Sequence, residues 1–208
     1  MAPTNPFARW CASWKDICAN ASGEHRSRLA RSLLKSIDTR QFRRGRTEAM
    51  RVVTPEVLRF VAAMEDPATD DATRRAAFRA AADAHVARAK DCQAGRAPEQ
   101  HLWELQLIQQ RRGAELGAAE PLALYDSPGW LTMRDDYLST SAVPSPHIRY
   151  WGFGSTSDKC IGVAYALLPD RFDLYLATPR AVSEQMAVFA RTLPATVREL
   201  EELLAAES

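Results

Sequence analysis

The chain has 208 residues, 46% of them hydrophobic and 25% charged, the ordinary balance of a soluble globular protein that forms one large domain or a domain with an extension. No apolar run approaches the length of a membrane span, and cysteines at positions 11, 18, 92 and 160, with no Cys-x-x-Cys pair, argue against a disulfide framework or a zinc site. The net charge of +1 hides an asymmetry: Met1 to Arg51 holds 11 Lys+Arg against 4 Asp+Glu, or +7, and the remainder holds 16 against 22, or −6.

The basic arm comes first. It suits a phosphate-bearing partner such as nucleic acid, an arginine-rich transit segment, or a solvated helix with a few extra arginines. Trp10 and Trp14, four apart, fit an amphipathic turn within a helix near 8–18. Nothing resembles a secretory signal, and the final Ala-Glu-Ser is not a peroxisomal address. In "SRLARSLLKSI" (27–37), Leu29, Leu33, Leu34 and Ile37 recur at helical spacing and predict a helix. "FRRGRTEAMR" (42–51) then gathers a glycine free to take unusual backbone angles (Gly45), the planar guanidinium of Arg46 and the hydroxyl of Thr47. That cluster suits an anionic ligand, and a charged helix entry accounts for the same residues.

From Thr54 the helical signals are clear. Thr54 is an N-cap with Pro55 at the first helical position, Leu58, Val61 and Met64 share a face, and Pro67 stops the helix. Alanine-rich 70–92 carries Phe78, Ala81, His85, Ala89 and Cys92 in one stripe and ends at Gly95. Pro98 opens a further helix with Leu102, Leu105 and Ile108 on its inner face. The period then changes. "YLSTSAV", "IRYWGFG", "IGVAYALL" and "FDLYLAT" are four short strand-like runs separated by turn residues. After Pro179 a last helix aligns Met186, Leu193, Val197, Leu200 and Leu204, with Pro194 expected to kink it. Helices grouped before strands predict an α/β fold, two-layered, with a mixed β-sheet of about four or more strands covered by helices.

Three groups of residues carry candidate chemistry. On a strand, Ser139 and Ser141 share one face and Thr140 takes the other. Paired hydroxyls can donate to a carboxylate or a developing oxyanion, and a strand with its threonine inward and its serines in water is the plainer alternative. "GSTSDK" (154–159) reads as a hairpin turn. Of the histidines, His85 lies on an apolar stripe and reads as a core residue, His101 begins a helix, His147 precedes a strand, and His25 adjoins Glu24.

In order, "TRQFRRGRTEAMR", "AAADAHVARAKDCQAGRAPEQHLWEL", "LYDSPGWLTMRDDYLSTSAV" and "YWGFGSTSDKCIGVAYALLPDRFDLYLATP" resemble the C-terminal part of the carnitine/choline O-acyltransferase family. That family carries a Gly-Arg-Thr-acid motif, an Ala-His helix, an Asp-Arg-His-Leu helix, a Leu-Ser-Thr-Ser strand and a Phe-Gly…Gly-Val-x-Tyr strand. The resemblance covers about residues 39–205 and divides the chain into a basic N-terminal extension, 1–38, and a C-terminal acyltransferase-like domain, 39–208.

The resemblance implies acyl transfer between coenzyme A, a co-substrate and not a tightly bound cofactor, and the hydroxyl of carnitine or a related alcohol. It implies that Ser141 stabilises the reacting hydroxyl and the oxyanion. Ser139 and Thr140 would share its pocket, Thr47 would bond the acceptor's carboxylate, and Arg46 would join the substrate-binding set. The family's general base is a histidine in a preceding domain, and His25, only 22 residues before Thr47, does not have its spacing. Gln100 stands where the family has an arginine that pairs with a carboxylate, Leu34 where it has a tyrosine, and "GSTSDKCIG" where it has Gly-Pro-Val-Val. The expectation is a half-site: inactive or nearly so as an isolated chain, open to self-association or a partner on the face the other half would cover, and with no nucleic-acid role. A non-enzymatic binding module on the same scaffold is the alternative. The family occupies several compartments, mitochondria, peroxisomes and cytoplasm among them, so the implied location is intracellular without selecting one.

Overall fold

The computed structural model describes residues 33–39, 41–43, 47–143, 145, 147–168 and 171–205. The helix expected near 8–18, His25 and Arg46 lie outside them.

Five strands form one mixed sheet in the order β2-β1-β3-β4-β5. They are β1 (Leu33–Asp38), β2 (Thr47–Arg51), β3 (Leu138–Ala142), β4 (Ile161–Leu167) and β5 (Phe172–Ala177). β1 pairs antiparallel with β2 and parallel with β3, β3 pairs parallel with β4, and β4 antiparallel with β5. The helix predicted over 27–37 is corrected in its described part, 33–37, since Leu33–Asp38 is a strand; 27–32 lie outside the described residues. Its residues pair with neighbours on both sides, and Ile37 enters the core beside Met50 and Leu138. Pairing on both sides and burial outweigh a local spacing that helix and strand can both tolerate. The charged helix entry at 42–51 likewise gives way to β2.

The helices are α1 (Pro55–Glu65), α2 (Asp71–Gln93), α3 (Pro98–Arg112), α4 (Pro128–Arg134) and α5 (Ser183–Ala205). Thr54 caps α1, its hydroxyl accepting from Val57 N at 3.3 Å, and Asp70 caps α2 in the same way through Thr73 N at 2.7 Å. Gly95 closes the turn after α2 with φ of 70°. α4, which the periodicity did not reveal, starts with a Ser127 cap and Pro128 at its first turn. α5 runs unbroken through Pro194. The one lost backbone bond is outweighed by the burial of Leu193 and Leu200 on either side of it.

One apolar cluster lies between the sheet, α2 and α5, with Met50, Cys92, Val163 and Phe189 among its members. A second joins α1, α2 and α5 through Phe60, Phe78, Ala81 and Leu200. Two predicted faces differ from the structure. In α1 the core takes Val57 and Phe60, while Leu58 is 50% exposed. In α3, Leu105 and Ile108 face outward.

"IRYWGFG" is not a strand. Trp151 and Phe153 stack 5.7 Å apart, and Trp151 Nε1 donates to Tyr165 O at 3.3 Å. Gly152 lies against the Tyr175 ring so closely that a Cβ there would come within 2.3 Å of it. Aromatic packing made possible by that glycine takes the place of ladder pairing. The Ser-Thr-Ser that follows is structural, with Ser155 Oγ donating to Cys160 O at 2.7 Å and Ser157 Oγ to Asp136 O at 3.1 Å.

Candidate active site: a hydroxyl face clamped by Arg51

Sheet register fixes which side chains share a face, because residues directly opposite one another point the same way. Position 34 stands opposite both Arg51 in β2 and Ser139 in β3. Arg51 and Ser139 therefore share a face, and the period of two adds Ala49, Thr47 and Ser141. Across β4 the same face continues with Gly162 and Ala164, partners of Ser139 and Ser141. With strands about 4.8 Å apart and a rise of about 3.3 Å per residue, Thr47 and Ser141 sit roughly 12 Å apart with β1 between them. Ser139 is buried, Ser141 half-buried and Thr47 exposed.

Thr140 takes the other face of the strand. It stands opposite Lys35 and Val163, on the helix-covered face, and is 0% exposed. The strand's alternation turns its hydroxyl to the face opposite those of Ser139 and Ser141. His85 belongs to Thr140's side as well. It is buried on α2 with Nε2 3.5 Å from Lys35 Nζ, and burial, then the Lys35 charge, lower its pKa to about 3. It is a neutral core histidine, as its stripe predicts. His101 and His147 are exposed.

A charged clamp that the sequence reading did not single out holds this face together. Arg51 Nε and Nη2 donate to the two Glu99 oxygens, both at 2.5 Å, and Nη1 donates to Asp136 Oδ1 at 2.6 Å. Burial works against the arginine's charge, but Glu99 and Asp136 outweigh it and raise its pKa. Burial pushes the Asp136 carboxyl up, and Arg51 pulls it back. Arg134, 3.9 Å from Glu99, lies over the rings of Trp103 and Trp130 at 5.1 and 5.5 Å. The clamp thus ties the Thr47 strand to the start of α3 and to the residues leading into the hydroxyl strand. Beside it, buried Glu48 accepts from Ala49 N at 2.7 Å and Gln100 N at 3.3 Å. It caps α3, whose own N-cap, Ala97, has no side-chain oxygen to offer. Burial raises the Glu48 pKa. The signal available in the sequence was a glutamate and an arginine inside an otherwise apolar strand.

Gln100 directs its side-chain amide to Glu104 Oε1 at 3.4 Å. It brings no positive charge to the place where the resemblance expects one.

Two cavities flank these residues. A recess of about 510 Å³ opens beneath Trp151 and Phe153, beside Tyr175 and Ala164, the β4 partner of Ser141; Ser139, Ser141 and Thr47 do not line it. A larger one of about 1050 Å³ lies between α1, α4 and the α2–α3 junction, and Thr47, Ser139 and Ser141 do not line it.

Residues 26–195 match the family model described as choline/carnitine O-acyltransferase. The chain belongs to that family. Its relatives include a Saccharomyces cerevisiae protein named "Putative mitochondrial carnitine O-acetyltransferase", 26% identical over 79% of this chain and 23% of that protein. The muscle isoform of human carnitine O-palmitoyltransferase 1 is 33% identical over 62% of this chain and 17% of its own length. Human peroxisomal carnitine O-octanoyltransferase is 39% identical over 36% of this chain and 12% of its own length. The chain therefore spans less than a third of each of these acyltransferases. Among the described residues, no helix is long and apolar enough to cross a membrane.

Proposed function

We propose that this chain supplies the acceptor and oxyanion side of an acyl-transfer site, and that the general-base histidine comes from elsewhere than its described residues. The observation that carries the reading is the placement of Ser139, Ser141 and Thr47 on one sheet face, clamped by Arg51. In the reaction, the hydroxyl of carnitine or a related alcohol attacks the thioester carbonyl of acyl-coenzyme A. A C–O bond forms, the C–S bond breaks, and the proton passes through the base to the departing thiolate. Ser141 donates to the oxyanion and Ser139 supports the reacting hydroxyl. Thr47 binds the far end of the acceptor, and the recess beneath Trp151, one strand over from Ser141, holds the acyl group. Of the described histidines, His85 lies behind the sheet, away from Ser139 and Ser141, and its pKa lowered to about 3 makes it a weak base, so it is not the base. With Gln100 in place of an arginine, a carboxylate on the acceptor gains a hydroxyl partner from Thr47 but no ion pair.

Thiol release from acetyl- and octanoyl-coenzyme A, each with carnitine and with choline, tests this. We expect no release that requires both substrates, together with saturable binding of acetylcarnitine or acetylcholine that Ser141→Ala weakens at least fivefold. Turnover by the chain alone would overturn the half-site, and absence of saturable binding would overturn the acyl-transfer reading itself. The outward-facing Leu105 and Ile108 favour a second reading, an interaction module on this scaffold. Self-association abolished by Leu105→Glu, with no ligand binding, would support it.

A further inference from the structure

The cavity of about 1050 Å³ borders the hydroxyl face at Ala49 and Arg51 but is not lined by Thr47, Ser139 or Ser141, and it has its own chemistry. It is a recess open to solvent, with Leu58 on its wall 50% exposed. α1 explains its walls. That helix is apolar on two faces, and only the one bearing Val57 and Phe60 enters the core. The other turns Leu58, Val61 and Ala62 into the cavity, opposite Met133 of α4. Exposed apolar side chains gathered in one concavity mark a place where something binds.

The charges narrow the ligand. Three guanidinium groups line the cavity. Arg51 is held by Glu99 and Asp136, and Arg96 by Asp91 at 2.6 Å. Arg88 has no carboxylate partner among the described residues, and its Nη1 donates only to Arg51 O at 3.3 Å. That contact places Arg88 near the beginning of α1. Glu65, the remaining lining carboxylate, ends α1, about 15 Å away along the helix. Among the described residues the cavity therefore pairs one guanidinium that has no carboxylate partner with an apolar wall running away from it.

We propose that this cavity binds a free fatty carboxylate, its head on Arg88 and its chain along Leu58 and Val61. The cavity adjoins the hydroxyl face through Ala49 and Arg51, but Thr47, Ser139 and Ser141 do not line it, and the proposal does not depend on the acyl-transfer reading.

The test titrates dodecanoate, below its micellar concentration, into the full chain and follows the ¹³C-labelled Met133 methyl signal, assigned with Met133→Leu. We expect a saturable shift, at least tenfold weaker binding in Arg88→Gln, loss of binding in Ala62→Trp, and at least tenfold weaker binding of uncharged methyl dodecanoate to the unaltered chain. Dodecanoyl-coenzyme A, whose thioester lacks the carboxylate, should not displace dodecanoate. The proposal falls if no saturable shift occurs, if the methyl ester binds as tightly as the acid, if Arg88→Gln leaves the affinity unchanged, or if the thioester competes. The ester comparison needs no variant and so holds even if a substitution disturbs folding.

Discussion

His85 shows how a chemically capable side chain becomes structural. Its helix buries it against Lys35, and both burial and that charge disfavour the imidazolium, whose pKa falls from 6.5 to about 3. The folded-state pKa is depressed, so the unfolded chain binds the proton more readily. The stability this neutral histidine contributes is complete above about pH 6.5 and is lost as the pH falls toward 3, at up to about 1.4 kcal/mol per pH unit. Urea denaturation at pH 7 and pH 5 should show the unaltered chain losing roughly 2 kcal/mol that His85→Phe does not lose. Equal losses in the two proteins would mean that His85 is accessible to protons in the folded state. The same alternation that turns Thr140 toward the helices turns Ser139 and Ser141 to the opposite face, so one residue step along β3 separates a core hydroxyl from a candidate catalytic one.

Among the elements, β2 is an edge strand with unusually full employment of its polar groups. Glu48 takes the Ala49 N–H, Arg88 takes the Arg51 carbonyl, and the Arg51 side chain anchors Glu99 of α3 and Asp136 ahead of β3. With the Ala49 N–H and the Arg51 carbonyl taken, this edge is blunted against pairing with another chain. Removing the arginine leaves two largely buried carboxylates without their cation. Arg51→Met should therefore cost about 3–5 kcal/mol in chemical denaturation. The triple change Arg51→Met, Glu99→Met and Asp136→Leu should recover part of that loss, because the buried charges leave together. A cost for Arg51→Met below about 1 kcal/mol would show that the clamp is solvent-screened and holds little.

For the molecule as a whole, α2 and α5 decide cooperativity. α2 contributes Cys92 to the sheet cluster and Phe78 to the helical one, while α5 contributes Phe189 and Leu193 to the first and Leu200 and Leu203 to the second. Two long helices rooted in both cores leave no seam along which one could unfold first. Far-UV circular dichroism and tryptophan fluorescence should report a single coincident transition. Leu200→Ala should shift that transition as a unit, by about 2–5 kcal/mol. Two separated transitions in the variant would show that the clusters are independent.

The sequence by itself determined α1, α2 and α5, because caps and a 3.6-residue stripe are local signals, and β3, β4 and β5, because alternation and β-branched residues are local too. It also placed Ser139 and Ser141 together and opposed Thr140, since that follows from the period of two alone. Only the tertiary structure decided that Leu33–Asp38 is a strand. Its partner β3 lies about a hundred residues away, and no window of sequence contains that pairing. The Arg51 clamp, the outward face of α3 and the cavity beside Arg88 belong to the same class. Each depends on which elements meet, and a charge or a leucine carries no mark in the sequence of what will stand opposite it.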